Sequence, residues 1–276
     1  MLFKQWNEFS IPRHELDYPA LSAKEDSLQS LPVPTVEITE GIDFTQFKTV
    51  YLTTKVMKPL FPLKFLDAQE IGSVKMTLRI SGSRQEALEH SWNFNENFPN
   101  EFDPALHTDE STSERSYTFD FPIHHIPNNN SALLVVDENF LKLSPIFDNV
   151  LAKKLISLAS PDLRLFILGT SDKISATKRL GSSDSSLTPP EFIGGFIGGL
   201  FANLVMGSAL PFDSIVVVSE GPTGFEKISQ ESMDELLTSM SQEWGSGIDT
   251  TAYKEECRRC WRYDGAAMST QSGLYI

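Results

Sequence analysis

Two turns of this chain gather hydroxyls, carboxylates and a lysine within a few residues: Gly169-Thr-Ser-Asp-Lys173 and Ser219-Glu-Gly-Pro-Thr-Gly-Phe-Glu-Lys227. Ligands in open α/β sheets bind where parallel strands end. Ser171, Asp172 and Glu220 are therefore the residues an α/β hydrolase or phosphate-binding enzyme would use here. The spacing that such chemistry needs is missing. A phosphate-cradling loop requires Gly, then Lys, then Ser or Thr at a helix start, and a nucleophile elbow requires Gly-x-Ser-x-Gly. Turn formation and helix capping account for both segments as they stand. Cys257-Arg-Arg-Cys260 falls inside a helical pattern with no second Cys pair, so it reads as structural thiols and not as a zinc or redox site. The five histidines show no metal spacing, and His124 and His125 point to opposite faces of a strand. No metal, catalytic group or cofactor is expected.

A different chemistry sits at the end of the chain. Gly265-Ala-Ala-Met-Ser-Thr-Gln-Ser-Gly273 is small and polar, and Leu274, Tyr275 and Ile276 follow it. The lead-in holds too little apolar surface to order itself. Its last residues offer an aliphatic anchor, a phenol and an α-carboxylate, which a backbone nest or a lysine captures. A flexible tail over residues 264–276 that binds a partner is the expectation.

The elements before the tail divide by period. Residues 1–34 mix four prolines with charges and read as an extended arm. From there β patterns dominate: Thr35–Thr39, Thr49–Val56, Ser73–Ile80, Ser116–Phe121 and Ala132–Asp137. Between the third and fourth, residues 103–115 are nearly all Thr, Ser and charge and read as a mobile loop. After Pro145 the period changes. Helices are predicted over Pro145–Ala159, Glu191–Met206, Gln230–Glu243 and Thr250–Tyr263, with buried-type strands Leu163–Leu168 and Ser214–Val218 between them. Alternating strands and helices imply right-handed crossovers and parallel pairing. The predicted fold is one α/β domain over residues 35–263. Its mixed, largely parallel central sheet is flanked by helices, with the strands of the first half at its edge. In the second helix Gly194, Gly195, Gly198 and Gly199 fall at i,i+4 spacing. Several Gly in a helix each cost about 1 kcal/mol, so another backbone must come close, from this chain's own core or from a partner subunit.

Composition narrows the partners. A net charge of −14 and a pI near 4.8 leave no clustered basic surface, which argues against nucleic acid and anionic membranes. The uncharged run Phe192–Phe212 carries five Gly and lacks basic flanks, so a membrane span is not expected. Two cysteines and no apolar signal-like start point to a reducing, cytoplasmic or nuclear setting.

Several segments together carry a family resemblance. They are Met1-Leu-Phe-Lys-Gln-Trp6, Ser91-Trp-Asn, Asn97-Phe-Pro-Asn-Glu101, Gly169-Thr-Ser-Asp-Lys-Ile174, Pro189-Pro-Glu-Phe-Ile193, Ser219-Glu-Gly-Pro, Gly224-Phe-Glu-Lys227 and Gln271-Ser-Gly-Leu-Tyr-Ile276. Nearly end to end, the chain resembles the fungal first subunit of the heterodimeric proteasome-assembly chaperone; only residues 103–115 and 203–214 carry none of the likeness. The resemblance implies a chaperone and not an enzyme. It implies pairing with a related second subunit and binding to the outer face of the proteasome alpha ring. It further implies that Leu274, Tyr275 and Ile276, as a hydrophobic–Tyr–X motif, enter a pocket between the fifth and sixth alpha subunits. The glycine-striped helix is the surface we expect to meet the second subunit.

Overall fold

In a computed structural model, the described residues are 33–80, 115–138, 146–181, 186–207, 210–221 and 226–264. Residues 1–32 of the N-terminal arm, 103–114 of the expected loop and 265–276 of the tail lie outside them.

Among the described residues nine strands form the sheet: β1 (Thr35–Ile38), β2 (Thr49–Thr54), β3 (Gln69–Ile80), β4 (Arg115–Ile126), β5 (Ser131–Val136), β6 (Arg164–Ser171), β7 (Lys178–Gly181), β8 (Phe212–Glu220) and β9 (Lys227–Ile228). Their spatial order is β1-β3-β4-β5-β2-β6-β8-β7, with β9 also on β8. The central pairs β5–β2, β2–β6 and β6–β8 are parallel. The flanks are antiparallel, including the long β3–β4 ladder. The fold is thus the mixed, helix-flanked sheet expected from the pattern.

The placement of β2 and β5 differs from expectation. Both come from the first half of the chain, yet both belong to the parallel centre. Their composition is consistent with that position: all six residues of β2 are buried, as befits a strand covered on both faces.

Alternation along these strands feeds two cores. Val50, Leu52, Ala132, Leu134, Leu165, Ile167 and Val216 face one side. Tyr51, Leu133, Phe166, Leu168, Ile215 and Val217 face the other. Helices α1 (Ile146–Leu158) and α2 (Gly195–Gly207) cover the first face through Phe147, Leu151, Phe196, Ile197, Leu200 and Leu204. The second face is covered by the 3-10 segment Lys55–Leu60, α3 (Gln230–Trp244) and α4 (Thr250–Asp264). Ser229 caps α3 by accepting from the Ser232 amide, and Asp249 does the same for α4 at Thr251 and Ala252, each satisfying amides left open by the first turn. Tyr253 ties α4 to the 3-10 segment by donating its hydroxyl to Leu60 O at 2.8 Å. Arg164 clamps the sheet to α3 by pairing with Asp213 at 2.9 Å and Glu243 at 2.7 Å. No helix among the described residues is long and apolar enough to cross a membrane; the uncharged run divides between α2 and the start of β8.

Candidate functional site

The two chemistry-bearing turns lie at the C-terminal ends of neighbouring parallel strands, β6 and β8, as the topology requires. Their side chains are engaged in building the fold. Ser171 is buried and donates to Phe192 O at 2.9 Å, while accepting from the Lys173 amide at 3.1 Å. Its hydroxyl is committed to backbone. Asp172 pairs with its neighbour Lys173 at 2.6 Å. Glu220 is exposed at the end of β8, opposite Lys227 of β9. These three residues are brought to one end of the sheet and are not assembled into a nucleophile with a base.

The turn after β6 serves instead as an anchor for the loop that leads into α2. Glu191 is its keystone. One carboxylate accepts from the Ser175 amide at 3.1 Å, the Ser175 hydroxyl at 2.6 Å, and the Thr188 amide and hydroxyl at 3.1 Å each. It also pairs with Lys178 at 2.8 Å. Lys178 above all, and then these hydrogen bonds, hold the Glu191 carboxyl far below the usual carboxylate range. Gly169 lets β6 pass tightly under α2, since a Cβ there would stand 2.9 Å from Ile197 Cγ1. The segments 169–174 and 189–193, remote in sequence, thus form one joint that fixes the N-terminus of α2.

That N-terminus meets a buried acid. Glu138, 6% exposed, accepts from the Phe196 amide at 2.7 Å. Desolvation raises its pKa to about 8, with Glu226, Asp148 and Asp137 adding to the rise against the opposing hydrogen bond. Asp148, in the first turn of α1, lies 3.3 Å from where a Cβ on Gly199 would stand, and burial pushes it up to about 7. Neither acid had a signal in the sequence. Asp148 reads there as an ordinary first-turn carboxylate.

The four glycines have separate surroundings. Gly199 lets α2 approach α1 at Asp148, and a Cβ on Gly198 would stand 2.2 Å from Ile193 O of the entering loop. Gly195 has φ +63°, and Gly194 faces open space. The outer face of α2 continues through Ala202, Val205 and Met206, with Val205 76% and Met206 88% exposed. Phe201 stacks near Phe212 beside it, ring centroids 5.8 Å apart. No charged residue occurs in α2.

The remaining candidates are structural. Cys257 is fully buried, and burial pushes its thiol well up; Cys260 is half-buried on the same helix, and both are free thiols. A thiol held protonated is a poor nucleophile and a poor ligand. His124 and His125 diverge to opposite faces, His125 beside Phe47 and Asn130. Among the described residues no group of His, Cys, Asp and Glu could hold a metal. Leu274, Tyr275 and Ile276 lie outside the described residues.

Comparison with known proteins settles the lineage. The family described as POC1 chaperone matches residues 1–276. Proteasome chaperone 1 of Saccharomyces cerevisiae is 44% identical over 283 residues, covering 100% of both chains. Among solved structures, the Pyrococcus furiosus archaeal proteasome activator PbaB is similar at a TM-score of 0.44 and 11% identity, over 85% of this chain and 98% of that one. A Mycobacterium tuberculosis proteasome-assembly chaperone homologue is similar at 0.39 and 12%, over 82% and 96%. The chain belongs to the POC1 chaperone family, and is a proteasome assembly chaperone, not an enzyme.

Proposed function

We propose that the chain works as a heterodimer with a related second chaperone subunit, on the outer face of the proteasome alpha ring. Its C-terminal Leu274-Tyr275-Ile276 enters a pocket between two alpha subunits, the fifth and sixth, assists core-particle assembly and blocks premature activator binding. The cytoplasm and nucleus are the compartments where this work is done. The observation that carries the reading is a hydrophobic–Tyr–X ending on a chain that matches a yeast proteasome chaperone over its whole length.

The energetics suit a reversible plug. The terminal carboxylate on a pocket lysine contributes about 1.5–3 kcal/mol, and Leu274 contributes about as much if fully buried. Ordering the tail takes back much of this, so contacts of the folded body and a partner's tail must supply avidity. Deleting residues 274–276 is expected to weaken alpha-ring binding roughly tenfold, about 1.4 kcal/mol, in surface plasmon resonance. Heterodimer formation should be unchanged by size-exclusion chromatography. Equal ring affinity for the truncated and full chains would sink the proposal.

For the second subunit, the outer face of α2 is the docking surface the structure favours. Ala202, Val205 and Met206 form an exposed face on a helix without charge, with exposed Gly194 just before its start, in a chain that carries −14 overall. Exposed apolar patches of this kind mark protein interfaces. Self-repulsion between two such acidic chains favours a different partner over a second copy. Val205→Glu is expected to weaken heterodimer affinity at least tenfold by analytical ultracentrifugation, with little change in the melting temperature of the isolated chain. Undiminished pairing would remove α2 from the interface.

A further inference from the structure

A groove of about 410 Å³ runs between the end of the 55–63 segment (the 3-10 segment Lys55–Leu60 and the three residues after it) and the last turns of α4, lined by Lys58, Pro59, Phe61, Leu63, Arg259 and Cys260. Its floor is apolar: Pro59 and Phe61 are buried and Leu63 is half-exposed. Its charged residues are cations in an otherwise acidic chain. Lys58 is exposed, and Arg259 pairs with Glu256 on its own helix. The volume lies within the range of small-ligand sites, and the lining suits an aliphatic and an aromatic group that end in a carboxylate.

One segment of this chain has that chemistry and begins beside the groove. The last described helix ends at Asp264, and Cys260 of the groove lies one turn earlier. Twelve residues follow, ending Leu274-Tyr275-Ile276. Extended, they span roughly 40 Å, several times the one helical turn, about 5.4 Å, that they must retrace. Gly265 and Gly273 supply the backbone freedom for a reversal.

We infer that the groove is a docking site for the chain's own C-terminal Leu-Tyr-Ile, with Lys58 holding the terminal carboxylate, so that the free chaperone partly sequesters the peptide it presents to the alpha ring. This rests on the proposed role of the tail. A short linker gives an effective concentration in the millimolar range. A tail–groove contact of only millimolar affinity is then closed for about half to two-thirds of the time. Ring affinity falls in proportion to the open fraction, a two- to threefold effect.

Two measurements on the full chain test this. Lys58→Glu, an exposed charge reversal away from α2, is expected to tighten alpha-ring binding about threefold without changing heterodimer formation or melting temperature. Unchanged or weaker ring binding overturns the inference. A photo-reactive phenylalanine analogue placed at Tyr275 is expected to capture residues 58–63 or 259–260 of the same chain, read by mass spectrometry. Capture elsewhere, capture of a second copy only, or no capture overturns it. Should deletion of residues 274–276 leave ring binding intact, the proposed function falls alone, because the cross-link reports the groove independently.

Discussion

Tyr51→Ala is expected to destabilise the chain by about 3–5 kcal/mol, the cost of deleting a fully buried aromatic from a close-packed core. Tyr51 is 1% exposed, on the strand at the heart of the sheet. Its ring lies 5.3 Å from Phe61, 5.6 Å from Phe166 and 5.5 Å from Trp244. These neighbours come from the 55–63 segment, a second central strand and α3, so one side chain joins three elements that are distant in sequence. Aromatic pairs at such separations add about 0.5–1.5 kcal/mol each beyond burial. The hydroxyl contributes separately, because Asn129 Nδ2 donates to it at 3.2 Å. Tyr51→Phe keeps the rings and removes only that acceptor, so it should cost about 1 kcal/mol. Urea denaturation followed by tryptophan fluorescence distinguishes the two variants. A loss below about 1.5 kcal/mol for Tyr51→Ala would show that the cluster around it is not close-packed.

The importance of Tyr51 could not be read from its neighbours in the sequence. Thr49–Val56 is recognisable as a buried strand from β-branched and apolar content, but composition says nothing of which strands lie beside it. Its place between β5 and β6 follows from crossover geometry, and that shifted it from the expected edge to the centre. Three of the helices were legible almost to the residue, since their apolar positions recur at helical spacing and Pro, Ser and Asp mark their starts; α2 begins at Gly195 and not at the expected Glu191, because the Glu191 carboxylate is tied into the loop by Ser175, Lys178 and Thr188. Strand β7 was invisible: Lys178-Arg-Leu-Gly181 has no alternation, and it exists because Ser214 Oγ accepts from the Leu180 amide and donates to its carbonyl. The turn at 169–173 was visible as unusual composition, and the segment 189–193 only as part of the family resemblance. Their common purpose was not, because the Glu191 joint appears only once the two loops meet. The tail motif lies outside the described residues and is read from the sequence alone. It depends on residue types at the chain's end and on no packing.

The folded chain is also expected to lose about 2–3 kcal/mol of stability between pH 6.5 and pH 8.5, and the cause lies under α2. Glu138 and Asp148 keep their protons up to about 8 and about 7 in the folded state, whereas an unfolded chain releases them near pH 4. Between those limits the folded state binds more protons than the unfolded one, so stability falls as pH rises. Other shifted groups act outside this window. Glu191 and Asp234 are held low by their cationic partners, so their contribution is lost only in acid. His124, whose pKa burial lowers, opposes folding as pH drops below about 6.5. Tyr253 is pushed upward by burial and matters only in stronger alkali, while Cys257, raised likewise, adds to the fall from about pH 8.5 upward. Differential scanning calorimetry should therefore show the melting temperature falling by roughly 5–10 °C from pH 6.5 to 8.5. Asp148→Asn, which cannot ionise, should remove about a third of that slope while the chain stays folded at pH 6.5. Glu138→Gln should remove most of the rest, and it retains an oxygen for the Phe196 amide. A melting temperature flat across the window, or unaltered in slope by both variants, would mean that water or a neighbouring loop solvates these carboxyls. The N-terminus of α2 would then rest on the Glu191 joint alone.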